Sequence, residues 1–389
     1  MCRKKITEDI INPIFVKNNT MLRKFRVTNF KGFENTFEYD LTDVKGYEFN
    51  KSSVKNGVVN HSIIYGRNGS GKSNLAWAIF DILEHLTEKQ RSEHIYKNYL
   101  NANSQSPYAD FYYEFGIDSN IVIYEYRKSD YKNILNERLR VNNEEVVCFD
   151  RSDLSLTKIN LSGAETLNRK VENPELSILK YIRNNAVLDQ NSTNQIFLSF
   201  LNFIDRMLFF RALSDRIYLS VDHPTKNVLE DIIQRNNVND LEIFLNEAGV
   251  DCKLSVVKEL EGNSLVFNFD NRKVPFGQVA STGTKALTLF YYWYQEIREK
   301  GGVSLLFIDE FDAFYHHSLS RLMIEKLKQT GVQFILTTHN TSIISNDILR
   351  PDCYFLMSKT EIKSLANSTL KELREAHNIE KMYRSGGFA

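Results

Sequence analysis

An apolar strand that runs straight into a glycine-rich loop and then into a helix leaves few folds open. The stretch HSIIYGRNGSGKS, residues 61–73, does this, and its last eight residues spell Gly-x-x-x-x-Gly-Lys-Ser. Gly66, Gly69 and Gly71 admit backbone conformations closed to residues with a side chain, so successive amides turn inward as a nest for anionic oxygens. The helix that follows, through Ser73, Leu75, Ile79 and Leu83, adds the positive end of its dipole. The pattern predicts a site for nucleotide phosphates and Mg2+ made by Gly66, Arg67, Asn68, Gly69, Ser70, Gly71, Lys72 and Ser73. Lys72 would reach the β- and γ-phosphates, and the Ser73 hydroxyl would ligate the magnesium ion. The plain alternative is a strand-to-helix turn that serves packing alone.

A phosphate loop does not by itself imply hydrolysis; the parts that would are found downstream. VSLLFIDEFD, residues 303–312, is an apolar strand ending in two acids, as expected of a buried parallel strand with functional groups at its carboxyl end. Asp309 would hold the metal through its water shell, and Glu310 would orient and deprotonate the attacking water. After the helical stretch AFYHHSLSRLMIEKLKQT, a second buried strand, VQFILTTHN at 332–340, ends in His339, which reads as a γ-phosphate contact or as a polar strand end. Strand, helix and strand in this order predict a parallel crossover. Ser281, Thr282 and Gly283 stand just before a helix of apolar periodicity that Gly301 and Gly302 would stop. A Ser-x-Gly there is either a simple N-cap or a second anion-binding group.

The order of these motifs resembles the ABC-type ATPase head, with STGTK, residues 281–285, standing where the family's signature stands. The fold implied is an α/β P-loop NTPase of ABC-head type with an antiparallel β layer and a helical insertion. In that family two heads meet head to tail, so the resemblance implies that Ser281, Thr282 and Gly283 act in trans and that Asp312 lies at the dimer seam. LRKFRVTNFKGFE, residues 22–34, resembles the opening strand of such heads in DNA-repair and chromosome-maintenance proteins. Lys31 is then expected near the nucleotide, although a solvated basic residue at a turn is an open alternative. The family's magnesium-sensing glutamine finds no equivalent. AAA+ rings would require a helical lid with sensor arginines and have no such Ser-x-Gly, and a P-loop kinase would give STGTK no role.

With TTHNTSIISNDILRPD at 337–352 and the terminal EKMYRSGGFA, the chain is similar to compact, SMC-like AAA-family ATPases of bacterial phage-defence operons. That group includes the ATPase subunits of the PARIS and Septu systems and the ATPase half of the overcoming-lysogenization-defect nucleases. The resemblance implies a homodimer or higher homo-oligomer that senses a phage-derived trigger and regulates a separately encoded effector, a nuclease or other toxin. A nuclease domain of its own is not expected, because the sequence ends at Ala389 soon after the ATPase motifs. The competing expectation is a repair- or chromosome-associated ATPase that binds DNA directly.

Length and charge bear on these alternatives. The 389 residues read as one large or two intimate domains, and 49 basic against 49 acidic residues give no overall field drawing the chain onto DNA or an anionic membrane. Cys2, Cys148, Cys252 and Cys353 are far apart, which fits a reducing cytoplasm, and no apolar run is long enough for a membrane span. DFYYEFGI, NIVIYEYR and RLRVNNEEVVCFD alternate as strands, with Asn142-Asn143 as a tight turn. PELSILKYIRNNAVL, NQIFLSFLNFIDRMLFFRAL and TKNVLEDIIQRNNVNDLEIFLNEAG read as helices, with Phe197, Phe200, Phe203, Phe209 and Phe210 as core, and none sustains a coiled-coil seam. The expected division is an extension at 1–20, a first ATPase lobe at 21–160, a helical insertion at 161–255 and a second lobe at 256–389. His316 and His317 would be surface residues or would lie near the site.

Overall fold

The computed structural model describes residues 20–89, 96–211, 218–219, 228–259, 262–300, 302–313 and 317–388. The expectations for residues 1–19, for His316 and for Gly301 as a helix stop lie outside the described residues, as does the side chain of His317.

Strands β1 (Thr20–Thr28) and β2 (Phe37–Asp40) are followed by a small hairpin, β3 (Val54–Lys55) and β4 (Val58–Val59), and then by β5 (His61–Tyr65). Helices α1 (Lys72–Ile79) and α2 (Ile82–Leu86) lead to β6 (Ala109–Ile117), β7 (Asn120–Lys128), β8 (Ile134–Val141), β9 (Glu144–Asp150) and β10 (Lys158–Ile159). Then come α3 (Ile178–Asn185), α4 (Ser192–Asp205), β11 (Leu208–Arg211), β12 (Tyr218–Leu219), α5 (Val228–Gln234) and α6 (Val238–Glu247). A three-stranded antiparallel sheet, β13 (Leu254–Glu259), β14 (Gly262–Phe269) and β15 (Arg272–Pro275), precedes α7 (Phe276–Val279) and α8 (Thr282–Lys300). The chain closes with β16 (Leu305–Asp309), α9 (His317–Thr330), β17 (Gln333–Thr338), β18 (Tyr354–Met357), β19 (Ile362–Ser364) and α10 (Ile379–Arg384).

Two seven-stranded sheets organise these elements. One runs β10-β9-β8-β7-β6-β1-β2 and is antiparallel throughout; the other runs β12-β11-β16-β17-β5-β18-β19. In the second, β11, β16, β17, β5 and β18 are parallel, with antiparallel strands at both edges. The α/β P-loop NTPase fold with its antiparallel layer is therefore present. The apolar character of β5, β16 and β17 follows from this position, since every residue of these strands is buried. In β6, by contrast, buried and partly exposed residues alternate strictly, because one face meets the core and the other meets solvent. Asn142 and Asn143, at φ 50° and 70°, make the tight turn between β8 and β9 as their sequence predicts.

The helical reading of NQIFLSFLNFIDRMLFFRAL holds for α4 but not for its end. Leu208–Arg211 is a strand that pairs in parallel with β16, while Phe209 and Phe210 are core residues, as expected, within a sheet instead of a helix. A four-residue strand buried on both faces has no period of its own, so the spacing carried over from α4 concealed it. Likewise α1 breaks at Phe80–Asp81 although Leu83 keeps the helical spacing.

The antiparallel layer grips that break. Tyr113 donates to the Ala78 carbonyl, and Tyr126 and Lys128 both donate to Asp81 Oδ2 at 2.9 Å. Neither Asp81 nor Lys128 exposes any side-chain surface. The two sheets are clasped elsewhere by Gln333, whose side-chain amide accepts from Leu22 N and donates to Leu22 O, both at 2.8 Å, and to Val59 O at 3.1 Å. Leu22 stands where the β1–β6 register slips, so Gln333 supplies a ladder bond that the slip leaves open.

Candidate nucleotide site

β5 delivers the chain at the centre of the parallel sheet into the loop before α1. Gly69 and Gly71 take φ of 75° and 101°, as the nest geometry asks. Gly66 is glycine for another reason: a Cβ there would stand 2.5 Å from Ser70 Oγ and 2.7 Å from the Met357 carbonyl oxygen. Close approach, and not a left-handed backbone, fixes that position. Lys72 caps the loop from within, its ammonium donating to Gly66 O at 2.7 Å and Arg67 O at 3.4 Å. Burial pushes the Lys72 pKa down, while Asp309 and Glu310 act against that shift. Arg67, Asn68 and Gly69 are exposed, whereas Ser70 is buried with no hydrogen-bond partner for its hydroxyl.

The two acids come from β16, separated from β5 by β17. Asp309 is fully buried and accepts two hydroxyls, Ser73 Oγ at 2.7 Å and Thr337 Oγ1 at 2.6 Å. The same Thr337 oxygen accepts the Glu310 amide at 2.8 Å, which holds Glu310 in a left-handed conformation at φ 51° just past the strand. Glu310 Oε2 is buried without a hydrogen-bond partner. Arg211, at the end of β11 and in register with Asp309, places its guanidinium 3.4 Å from Asp309 Oδ2 and 3.6 Å from Glu310 Oε1.

His339 follows β17 on the same rim. Loss of solvent, then the Lys72 charge, lowers its pKa, while Glu310, Asp312 and Asp309 pull the other way, so the imidazole stays neutral at pH 7. Asp312 accepts Thr338 Oγ1 at 2.7 Å, and burial raises its pKa. Lys31 sits in a turn beside the start of α1, where a Cβ on Gly32 would stand 2.9 Å from the Asn74 side chain. Its ammonium donates to the Lys97 carbonyl at 3.3 Å and lies 6.0 Å from the Tyr96 ring centroid.

Ser281 caps α8: its hydroxyl accepts the Thr284 amide at 3.1 Å and lies 2.9 Å from Thr284 Oγ1. Ser281 and Thr282 are exposed and Gly283 is partly so. Among the described residues, no hydrogen bond or ion pair joins 281–283 to residues 66–73 or to the two acids. Within one chain the structure thus brings together Lys72, Ser73, Asp309, Glu310 and His339, while the polar contacts of Ser281 are with Thr284 in its own helix.

The donor set fits a magnesium triphosphate. The unpartnered Ser70 hydroxyl, a lysine held on loop carbonyls, a hydroxyl–carboxylate pair at Ser73 and Asp309 and a partnerless carboxylate oxygen on Glu310 are the groups such a ligand uses. Arg211 and Thr337 went unnoticed in the sequence. Arg211 lay inside an apparent helix, and Thr337 reads as an ordinary strand former whose partner is on the neighbouring strand.

No curated protein matches the sequence. Among solved structures, an SMC head bound to the C-terminal winged-helix domain of ScpA is 16% identical, covering 88% of this chain and 97% of that one at a TM-score of 0.44. The SMC head domain from Thermotoga maritima is 14% identical, with 88% and 98% covered and a TM-score of 0.43. The recombination mediator RecF is 16% identical, with 89% and 98% covered and a TM-score of 0.42. These scores are too low for more than a likeness of the chain trace. A family profile described as "AAA domain, putative AbiEii toxin, Type IV TA system" matches residues 62–345, from the phosphate-loop strand past His339. The chain belongs to this AAA-domain family.

Proposed function

We propose that the protein binds and hydrolyses ATP between two of its own copies, and that this cycle regulates a separately encoded effector in anti-phage defence. One observation carries the catalytic part: Ser73 and Thr337 converge on Asp309, and Thr337 also positions Glu310, at the rim where Lys72 holds the phosphate loop.

On this reading the loop amides and Lys72 bind the β- and γ-phosphates, with Lys31 beside the nucleotide. Ser73 and Asp309 hold the magnesium ion, which when bound neutralises charge on the phosphate oxygens. Glu310 orients a water and takes its proton on the carboxylate, and neutral His339 contacts the terminal phosphate. Ser281, Thr282 and Gly283 reach the phosphate of the partner copy, and Asp312 lies at the seam; the exposure of Ser281 and Thr282, and the lack of any hydrogen bond between 281–283 and residues 66–73 among the described residues, support the first of these. The first lobe is 21–160, the insertion 161–255 and the second lobe 256–389. The family description names a type IV toxin–antitoxin system, and a two-part system of that kind supports a separately encoded partner.

Complementation tests the shared site. Lys72→Ala and Ser281→Ala should each abolish ATP turnover, and mixing the two proteins should restore about one working site per mixed dimer. Absence of recovery, with both variants folded, would exclude a trans-acting Ser281. ATP affinity that survives Lys72→Ala would exclude the phosphate-loop assignment.

A further inference from the structure

The acidic half of the site carries a cation that the reading above does not use. Arg211 ends β11, the parallel neighbour of β16, and the register sets it level with Asp309. A side chain leaving the strand there emerges at the rim where the two acids stand. Its guanidinium is 3.4 Å from Asp309 Oδ2, the same oxygen that accepts the Ser73 hydroxyl, and 3.6 Å from Glu310 Oε1.

These are charge contacts without closed hydrogen bonds. Arg211 Nε is buried and has no hydrogen-bond partner, and the same is true of Glu310 Oε2. Lys72, by contrast, spends its ammonium on the Gly66 and Arg67 carbonyls. Among the described residues Arg211 is therefore the side chain in ion-pair contact with both acids, and its fork of donors is largely unspent.

We propose that Arg211 is the site's resident counter-ion, a positioning residue that offsets the charges of Asp309 and Glu310 until a divalent cation arrives and then turns its guanidinium to a phosphate oxygen. The inference rests on the nucleotide reading of the loop. A divalent ion held by Ser73 and, through its water shell, by Asp309 would supply the positive charge that the guanidinium otherwise provides at Oδ2. A guanidinium so freed matches the oxygens of a phosphate better than an ammonium would. Arg211 thus sets how much magnesium the site needs, and lets a triphosphate approach two carboxylates before the metal is in place.

The test is equilibrium binding of a fluorescent ATP analogue to the full chain, in EDTA and across a magnesium titration, with folding checked by circular dichroism. In Arg211→Ala, metal-free affinity should fall about tenfold, the size expected for loss of one charge-assisted contact, while the magnesium concentration at half-saturation drops severalfold. Arg211→Lys keeps the charge but not the fork of donors, so the magnesium midpoint should stay within about threefold of wild type while metal-free affinity falls part of the way towards that of the alanine variant. If the alanine variant does not fold, Arg211→Gln, neutral and still polar, carries the same expectation. Where metal-free binding is too weak to measure, the magnesium midpoint decides. A neutral variant with wild-type metal-free affinity and magnesium midpoint would overturn the proposal. A wild-type protein that binds no nucleotide under any condition would instead overturn the nucleotide reading, and this inference with it.

Discussion

Thr337 serves two partners with one hydroxyl: it donates to Asp309 and accepts the Glu310 amide. Thr337→Val keeps the shape and removes both bonds. It is expected to cost about 1–3 kcal/mol in urea denaturation, because a buried amide and a buried carboxylate each lose a partner. ATP turnover should fall at least about tenfold at unchanged ATP affinity, and equal turnover would show that the hydroxyl does not hold Glu310 in place. His61 is a second residue whose role its neighbours hide. It stacks on Phe334, with centroids 4.5 Å apart, and its Nε2 lies 2.8 Å from Asn60 Nδ2. Burial, then Lys328 and Lys55, hold its pKa down to about 3, against an ordinary 6.5. The unfolded chain takes up the proton near 6.5 and the folded one does not, so this contribution is full above that pH and is lost as pH falls towards 3. The loss approaches about 1.4 kcal/mol per pH unit for the single proton. His61→Phe should flatten the fall of the urea midpoint between pH 6.5 and 5, and parallel slopes would acquit His61. Spacing made Lys72, Ser73, Asp309 and Glu310 legible because each stands in a fixed order after a strand. Nothing local marks Thr337, Arg211 or a histidine at the head of an apolar strand, since their partners lie on other strands.

At the level of elements, β11 shows how sheet membership can be hidden. Phe209 lies against Trp77 and Phe80 on the α1 side and Phe307 in β16, with ring centroids 4.8, 5.7 and 5.8 Å away. Truncation in Phe209→Ala is expected to cost about 3–5 kcal/mol in urea denaturation, since a fully buried ring is lost between a helix and a sheet. A cost below about 1 kcal/mol would mean that the site collapses without loss, contrary to this packing. The long alternating strands were readable because a period of two over nine residues, as in β6, has no helical counterpart. β11 has four residues and no polar face, and it follows a helix whose apolar spacing it continues by coincidence. The break between α1 and α2 was equally silent, because Asp81 is held by groups on a strand far along the chain.

The whole molecule depends on a few side chains that span its two sheets. Gln333 is buried and bonds to Leu22 and Val59 across that junction. Gln333→Leu would leave the Leu22 amide without this acceptor and should lower stability by about 2–4 kcal/mol, with a sharper loss of hydrogen-exchange protection in β1 than in β6. Uniform protection in both strands would argue that the clasp is not local. Among the described residues, no helix is long and apolar enough to cross a membrane. The Asp81–Lys128 pair ties the antiparallel sheet to the break between α1 and α2, just past the helix that leaves the phosphate loop. A lone replacement at either position would strand an ionised group in a dry interior, at about 3–5 kcal/mol, whereas a joint swap to two well-fitting apolar residues can be tolerated. Over generations, these two codons must drift in concert or stay as they are.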